Sequence, residues 1–284
     1  MKLVTFTESN STRVGLVVDG GVVDLAKADA SLPRDMIGLI SAWGTARAAV
    51  ERAASRKADH ALNAVTLQAP VPRPSKVMAI GLNYADHIAE SNQKTPEEQV
   101  WFAKQVNSIN PPFADVQLPK TSHLLDYEAE MVVVIGRKCK HVPKDRAHEV
   151  VFGYSVGNDV TARDWQFKTP QWILGKSFDT HGPFGPWIMT SDEVGDPHAL
   201  GIRAFVNGEK RQDSNTKNLV FNVFDQIAHL SQAMTLEPGD IIFTGTPGGV
   251  GAAMKPPKFL KAGDVMRIEI DRIGAIEATV RPEQ

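Results

Sequence analysis

The stretch Leu124–Gly136, "LLDYEAEMVVVIG", places three carboxylates, Asp126, Glu128 and Glu130, at the entrance of an apolar run. Residues 131–135 have the length and β-branched content of a buried strand, and acids are costly to bury without a compensating partner. Side chains two apart on a strand point to the same face, so Glu128 and Glu130 should lie side by side, with Cα atoms roughly 7 Å apart. Carboxylates this close repel each other unless a cation or a proton lies between them. The rest of the chain has to supply that compensation.

Composition places the chain among ordinary globular proteins. It has 284 residues, 42% hydrophobic and 23% charged, and a formal net charge of -2. That balance gives no reason to expect a nucleic acid or a membrane surface as a partner. The single cysteine, Cys139, excludes an intrachain disulfide. The first residues lack a signal-peptide core and no apolar run approaches the roughly 20 residues of a membrane span, so we expect a cytoplasmic protein.

The chain divides by composition into two parts. Short β-rich pieces and a helical pattern over residues 33–56, read as one helix or two short ones, precede the proline-rich stretch Leu67–Lys76. We therefore predict a small α+β domain over residues 1–70 and a catalytic domain over 71–284. The larger part has many strand-like runs, few helices and frequent Gly/Pro turns, which indicates a β-dominated α+β fold. Its segment 91–112 is long for a plain connection, as lids and binding loops often are.

A third acid extends the pair of glutamates. Asp159 ends another strand-like run, "YSVGNDV", about thirty residues further on. An all-oxygen set of three carboxylates suits a hard cation such as Mg²⁺ or Mn²⁺. The alternative, a solvated strand edge that binds nothing, has equal weight on spacing alone.

Two further motifs carry groups for proton transfer. In "NYADHIAE", His87 and Glu90 are neighbours on a helix, and a carboxylate beside an imidazole makes a general base. Lys176 in "LGKSFDTHGPFGP" follows an apolar stretch, where an oxyanion would be a suitable partner. Spacing alone favours the plainer interpretations, an exposed helical pair and a surface lysine.

The glycine-rich stretch Thr244–Gly251, "TGTPGGVG", offers backbone N–H groups and Thr246 to a substrate carboxylate. A plain turn between strands has equal weight, and the absence of Gly-Lys-Ser/Thr disfavours nucleotide binding. Other histidines, including His181, are interpreted as surface or loop residues. No G-x-S-x-G elbow of a serine hydrolase is present.

Together these motifs resemble the fumarylacetoacetate hydrolase family, in content and in order, from about residue 76 to 280. The matching segments are "GLNYADHIAE", "LDYEAEMVVVIG", "GYSVGNDVTARDWQ", "LGKSFDTHGPFGPW", "VNGEKRQDSNT" and "LEPGDIIFTGTPGGVG". The resemblance implies a C-terminal catalytic domain with a mixed, rolled β-sheet, a small N-terminal domain and a homodimer. It also implies Mg²⁺ or Mn²⁺ as cofactor.

The resemblance also implies a role for nine residues. They are Glu128, Glu130 and Asp159 as metal ligands, His87 and Glu90 as a water-activating dyad, Lys176 as the oxyanion-stabilising lysine, and Arg163, Gln166 and Thr246 as substrate contacts. Asp126 is not expected to bind the metal. The chain departs from the family at Phe102–Gln105, which reads "FAKQ" where "FLKP" is frequent. This difference leaves the identity of the substrate undetermined but does not affect the assignment of the metal ligands.

The activity that the resemblance implies is metal-dependent hydrolysis of the C3–C4 bond of a 2,4-dioxo acid, which yields pyruvate and a carboxylic acid. Acylpyruvates and 2,4-diketo-3-deoxy sugar acids, such as the rhamnonate or fuconate derivative, are the expected substrates. Alternatives are decarboxylation of oxaloacetate, and an isomerase or lyase reaction, such as isomerisation of an unsaturated oxo-diacid, at the same site. A metal-stabilised binding module with a decayed catalytic set is a remote alternative, because the dyad and the lysine are all present.

Overall fold

The computed structural model describes the whole chain, residues 1–284. Its strands are β1 Lys2–Glu8, β2 Ser11–Val18, β3 Gly21–Asp24, β4 His60–Ala61, β5 Thr66–Gln68, β6 Val77–Gly81, β7 Val100–Ala103, β8 Ile109–Asn110, β9 Val116–Leu118, β10 Leu125–Asp126, β11 Ala129–Ile135, β12 Val151–Asn158, β13 Thr161–Ala162, β14 Gly182–Thr190, β15 Gly201–Val206, β16 Glu209–Asn215, β17 Ile241–Phe243, β18 Val265–Ile270 and β19 Gly274–Pro282. The helices are α1 Leu25–Ala28, α2 Met36–Ser41, α3 Trp43–Ala53, α4 Ala85–Glu90, α5 Arg163–Gln166, α6 Ser191–Val194 and α7 Val223–Ala233. Short 3₁₀ turns lie at Leu62–Ala64, Val106–Ser108, Lys144–Val150, Thr216–Asn218 and Gly251–Ala253. The predicted β-dominated α+β class is confirmed.

The apolar run of the opening motif forms β11, inside a 12-stranded sheet. Ten of its strands follow the order β4-β3-β2-β1-β14-β12-β11-β17-β6-β7, and the other two, β5 and β8, pair with β1 and β14. All of β11 is buried because each face of the strand packs into a different core. Met131 and Val133 belong to the core that α7 and β18 share, whereas Val132 and Val134 belong to the core that contains α2 and α3. A strand covered on both faces has no polar side, which explains why its sequence does not alternate.

The N-terminal strands continue this same sheet. Strand β1 pairs antiparallel with β14, with Leu3 opposite Ile188, and β2 and β3 follow outward from β1. The hydrogen bonds of the sheet therefore connect residues 1–70 with residues 71–284. The division of the chain into two domains at this point stays a prediction. Helices α2 and α3 confirm the helical pattern of residues 33–56 as two short helices.

A second sheet of five strands, in the order β16-β15-β18-β19-β9, packs against the other face of the large sheet. Its hairpin β15–β16 turns at Asn207 and Gly208, whose φ angles are 52° and 80°. Two positive φ values in succession define the type I′ turn that favours Asn-Gly. No helix of the chain has both the length and the apolar character needed to cross a membrane.

His181 lies in a loop, as the sequence interpretation allowed, but it is fully buried rather than at the surface. Its Nε2 donates to the Gln117 carbonyl at 2.9 Å, and its Nδ1 has no partner. Burial lowers the pKa of His181 to about 3, although the bond to Gln117 opposes the shift. The folded protein thus holds this imidazole neutral at pH values where an unfolded chain would protonate it.

We expect acid to destabilise the fold partly through His181. Between pH 6.5 and about 3 the unfolded chain binds a proton at His181 that the folded chain does not bind. The free energy of unfolding therefore decreases as the pH is lowered through this window. At pH 5 the loss from this residue should be on the order of 2 kcal/mol relative to pH 7. Urea unfolding at both pH values should therefore show a smaller acid loss in His181→Gln than in the wild type. The exposed control His123→Gln should follow the wild type, and equal losses in all three proteins would contradict the assignment.

Candidate active site

The structure brings all nine predicted site residues around one pocket. Helix α4 supplies His87 and Glu90, the segment β10–β11 supplies the glutamates, β12 ends just before Asp159, α5 supplies Arg163 and Gln166, and loops supply Lys176 and Thr246. Eight of the nine line a pocket of about 390 Å³, and the ninth, Asp159, has a carboxylate oxygen within 4.8 Å of those of Glu128 and Glu130. Residues far apart in sequence meet because β11, β12, β17 and β6 follow or neighbour one another in the large sheet.

The three predicted ligands form a buried acidic cluster. One carboxylate oxygen from each of Glu128, Glu130 and Asp159 lies within 4.8 Å of the other two. The pairing of β11 with β12 explains the proximity, since Ala129 is opposite Asn158 and the Asp159 amide donates to the Glu128 carbonyl at 2.9 Å. Three converging carboxylate oxygens fit a hard divalent cation.

Two buried lysines contact this cluster directly. Lys176 Nζ lies 2.6 Å from Glu128 Oε2 and 2.8 Å from Asp159 Oδ2. Lys104 Nζ lies 2.7 Å from the other oxygen of Asp159 and also donates to the Lys176 carbonyl. Sequence reasoning missed Lys104, although the residue lies inside the divergent "FAKQ" segment. The signal was a lysine directly after an apolar strand, which needs an acidic partner when it is buried.

These contacts separate the pKa values of the two glutamates. Burial alone would raise the pKa of Glu128, but Lys176 and Arg163 outweigh it and hold the pKa at about 2. Glu130 lacks a contacting cation, so burial, Asp159 and Glu128 raise its pKa well above the usual value. For Lys176, burial opposes the charge, yet Asp159 and Glu128 raise the pKa above that of a free lysine.

The charges around the pocket do not balance. When all groups are ionised, as metal binding requires, five carboxylates meet three cations: Glu90, Asp126, Glu128, Glu130 and Asp159 against Lys104, Arg163 and Lys176. The excess of two negative charges equals the charge of one divalent cation. Charge and donor chemistry therefore both fit a divalent metal held by Glu128, Glu130 and Asp159.

The predicted dyad has the geometry of a positioned base. His87 Nδ1 lies 2.8 Å from Glu90 Oε1, and the Gly249 amide donates to Glu90 Oε2 at 2.7 Å. Because a carboxylate can only accept, Nδ1 donates and the lone pair of Nε2 stays available. His87 lines the pocket, so this imidazole can exchange a proton with a bound molecule.

Asp126 holds the guanidinium group of Arg163 at the pocket. Its Nε lies 2.9 Å from Asp126 Oδ2, and its Nη1 lies 2.7 Å from Glu128 Oε1 and 3.0 Å from Gln166 Oε1. Asp126 is fully buried and also accepts from the amides of Gly251 and Ala252, at 2.8 and 3.0 Å. A Cβ on Gly251 would lie 2.7 Å from Asp126 Oδ1, so the close approach requires glycine. Asp126 thereby joins the arginine to the loop that forms one wall of the pocket.

Replacing this carboxylate should disturb both partners at once. Asp126→Asn keeps the volume but sets an NH₂ group against an N–H donor, which leaves a buried group unpaired. We expect a loss of about 1–3 kcal/mol in unfolding free energy and a raised KM, because Arg163 and the loop lose their common anchor. Denaturant unfolding and steady-state kinetics check this, with the exposed Asp179→Asn as control. Unchanged KM and stability would contradict the role.

The backbone amides of the glycine-rich loop donate hydrogen bonds to carboxylates of the site itself. The Gly245 amide donates to Glu130 Oε2 at 2.7 Å, and Gly249 donates to Glu90, so these N–H groups are not free for a substrate carboxylate. The Thr246 hydroxyl accepts from Gln212 Nε2 at 2.8 Å, which leaves its own O–H to donate into the pocket. Gln212, on β16, is fully buried and was not predicted.

Comparison with known proteins agrees with this geometry. The profile of the fumarylacetoacetate (FAA) hydrolase C-terminal family matches residues 76–281. The chain is 45% identical to oxaloacetate tautomerase fahd2, mitochondrial, of Xenopus laevis, over 99% of this chain and 90% of that protein.

Two solved structures are similar over their full length and over the full length of this chain. Maleylpyruvate hydrolase from Sphingobium sp. SYK-6, in complex with manganese(II) and pyruvate, has a TM-score of 0.85 and 34% identity. The 5-carboxymethyl-2-hydroxymuconate delta-isomerase from Mycobacterium smegmatis has a TM-score of 0.80 and 33% identity. The family profile and these similarities lead to one conclusion: the chain belongs to the fumarylacetoacetate hydrolase family of enzymes.

Proposed function

We propose that this protein is a metal-dependent keto–enol tautomerase of 2-oxo acids, with oxaloacetate as the first substrate to test. The observation that carries the proposal is the 45% identity, over nearly the whole chain, to a protein named oxaloacetate tautomerase. It favours the isomerase alternative over the C–C hydrolysis and the sugar-acid substrates that we expected from the sequence. The site itself contains what proton transfer at a 2-oxo acid requires.

Tautomerisation moves one proton between C3 and the oxygen on C2. His87 Nε2 is the group to take the proton from C3 and to pass it to the C2 oxygen, and to carry it back in the reverse direction, while Glu90 fixes the ring through Nδ1. A divalent cation on Glu128, Glu130 and Asp159 would, when bound, supply Lewis acidity to the 2-oxo group. Lys176 has three N–H groups and two carboxylate partners, so one N–H remains for the C2 oxygen as negative charge develops there.

The remaining predicted contacts orient the substrate. Thr246 presents its hydroxyl hydrogen because Gln212 occupies the oxygen as a donor. Gln166 accepts from Arg163, so its NH₂ group is left to face the pocket. We assign both residues to the carboxylate end of the substrate, where neutral donors add hydrogen bonds without adding charge.

The test is an assay with freshly dissolved enol oxaloacetate, following loss of the enol together with pyruvate and CO₂. We expect faster loss of the enol with Mg²⁺ or Mn²⁺, no acceleration after EDTA treatment, and no pyruvate. If pyruvate and CO₂ appear from oxaloacetate, the protein is a decarboxylase and the proposal is wrong.

A C–C hydrolase is the second candidate, for a specific reason. The similar maleylpyruvate hydrolase binds manganese and pyruvate, and the His87–Glu90 pair has the geometry to take a proton from water as well as from carbon. Acylpyruvates and 2,4-diketo-3-deoxy sugar acids belong in the same screen. Pyruvate plus a second carboxylic acid, without CO₂, would identify this activity.

For either reaction, His87→Ala should lower turnover by about 10²–10⁴-fold, the usual contribution of a general base. Its affinity for Mn²⁺, measured by calorimetry, should stay near the wild-type value, because His87 is not among the three converging oxygen ligands. The exposed histidine variant His123→Gln serves as control for turnover. Loss of Mn²⁺ affinity in His87→Ala would contradict the assignment of proton transfer to His87 and of metal binding to the three carboxylates alone.

Two expectations from the sequence stay predictions. The homodimer follows only from the family resemblance, and sedimentation of the purified protein would test it. The cytoplasmic location is expected only because no signal-peptide core and no apolar run of membrane-spanning length are recognised in the sequence, and the Xenopus relative is named as mitochondrial.

A further inference from the structure

We infer that the segment Lys104–Asn107 positions the main chain of Lys176 for catalysis, and that the N–H of Gln105 supplies one of the bonds. Where this chain has Gln105, proline is frequent in the family, and proline has no N–H to donate. The inference rests on the proposed function in one respect, the role of Lys176 as donor to the developing oxyanion. None of the residues 104–107 lines the pocket, so they act through Lys176 and not on the substrate.

Lys104 is the buried end of this segment. Its side chain is fully buried, its Nζ lies 2.7 Å from Asp159 Oδ1, and it also donates to the Lys176 carbonyl. The other oxygen of Asp159, Oδ2, lies 2.8 Å from Lys176 Nζ. The ammonium group of Lys104 therefore fixes both the main chain of Lys176 and a carboxylate that the Lys176 side chain contacts.

The rest of the segment holds the residue after Lys176. The Gln105 amide donates to Ser177 Oγ at 3.0 Å, and Asn107 Nδ2 donates to the Ser177 carbonyl at 2.9 Å. Residues 176 and 177 are thus held by three hydrogen bonds from one short segment.

These bonds matter because the loop that leads to Lys176 is exposed. Phe167 and Leu174, between α5 and Lys176, are 68% and 61% exposed. The loop is held at its end, where the Ala162 amide donates to the Gly175 carbonyl at 2.9 Å, and beyond that point residues 104–107 provide the anchor. A displacement of a catalytic group by about 1 Å can cost about 10²-fold in rate, so the anchor of Lys176 should be visible in kcat.

Gln105→Pro tests the inference because it removes this N–H and little else. Gln105 has φ -76° and ψ 150°, angles that proline adopts, and its side chain is exposed. We expect kcat to fall by about threefold to tenfold, the scale of one lost hydrogen bond, with KM and Mn²⁺ affinity unchanged. Gln105→Ala keeps the N–H and should retain the wild-type kcat. Lys104→Met is unsuitable, since it leaves a buried carboxylate without its partner and destabilises the fold.

A double variant shows whether the effect passes through Ser177. Ser177→Ala removes the acceptor of the same bond, so adding Gln105→Pro to it should cause no further loss of kcat. Three outcomes would overturn the inference: an unchanged kcat in Gln105→Pro, an equal loss in Gln105→Ala, or additive losses in the double variant. A loss confined to KM would overturn it as well, because the segment does not touch the substrate.

Hydrogen exchange, followed by mass spectrometry on the Mn²⁺-loaded protein, makes the test independent of turnover. The amides of residues 176–178 should exchange at least about threefold faster in Gln105→Pro than in Gln105→Ala, because local opening costs one hydrogen bond less. Equal exchange in the two variants would overturn the inference. Failure of the enol assay would reject the tautomerase, whereas the exchange rates, and kcat on the hydrolase substrates, would still decide the anchoring of Lys176. The two proposals therefore fail separately.

Discussion

Glu130→Gln should abolish turnover and lower the affinity for Mn²⁺ by at least about 10²-fold, because one of three converging carboxylates becomes a neutral amide. Glutamine is the right replacement. It keeps the volume, and its carbonyl oxygen can still accept the Gly245 amide that lies 2.7 Å from Glu130 Oε2. Glu130 contacts no lysine or arginine, so no buried cation loses its partner, and the fold should persist.

Thermal unfolding with and without Mn²⁺ separates the metal effect from activity. A ligand that binds only the folded state adds about 2.7 kcal/mol of stability at a concentration of 100 Kd, so the wild-type melting temperature should rise with Mn²⁺. Glu130→Gln should show little rise at the same concentration, and the half-exposed helix variant Glu51→Gln should rise like the wild type. A normal Mn²⁺ response in Glu130→Gln would remove this residue from the ligand set.

Lys176→Met should produce the second large effect, on stability as well as turnover. The lysine is buried between Glu128 and Asp159, and its removal leaves two buried carboxylates facing each other. Breaking a buried ion pair from one side costs about 3–5 kcal/mol. Loss of one donor at a developing oxyanion lowers turnover by about 10²–10³-fold.

Denaturant unfolding of the metal-free protein measures the first part, and enol turnover measures the second. Mn²⁺ should restore part of the lost stability, since it compensates the same two carboxylates. Lys138→Met, at a lysine that is 72% exposed, should change neither quantity. A stability loss below about 1 kcal/mol in Lys176→Met would mean that the two carboxylates share a proton rather than depend on the ammonium group.

Much of the fold and most of the site were accessible from local patterns. The apolar run of β11, the Asn-Gly turn and the two helices of residues 33–56 are short-range signals, and the structure has them where the sequence indicated. Strand geometry predicted that the two glutamates would lie close together, and their carboxylates do converge, although Glu128 lies just before β11 begins. The residue-by-residue assignment of roles depended on the order of six motifs, since each motif alone favoured a plainer interpretation.

What escaped prediction depends on contacts between distant segments. Lys104 is a site residue only because the strand that precedes it, β7, pairs with β6, which brings its ammonium group to Asp159, 55 positions away. Gln212 orients Thr246 from a different sheet, and no spacing rule connects them. His181 is in a loop, as its Gly and Pro neighbours indicated, but its burial depends on segments distant in sequence. The choice between hydrolysis and tautomerisation escaped for another reason: the same base, lysine and acids serve both reactions.

The two-faced packing of β11 has a consequence for how such a protein can change over generations. The first seventy residues supply no side chain to the pocket, but their helices cover Val132 and Val134, which follow Glu130 on the same face. Substitutions in this N-terminal segment are therefore limited by the need to pack against β11, and not by a catalytic role of their own. Solvent-exposed residues of this segment can be replaced freely. A substitution that removes apolar packing from Val132 or Val134, in contrast, would shift β11 and with it the position of Glu130.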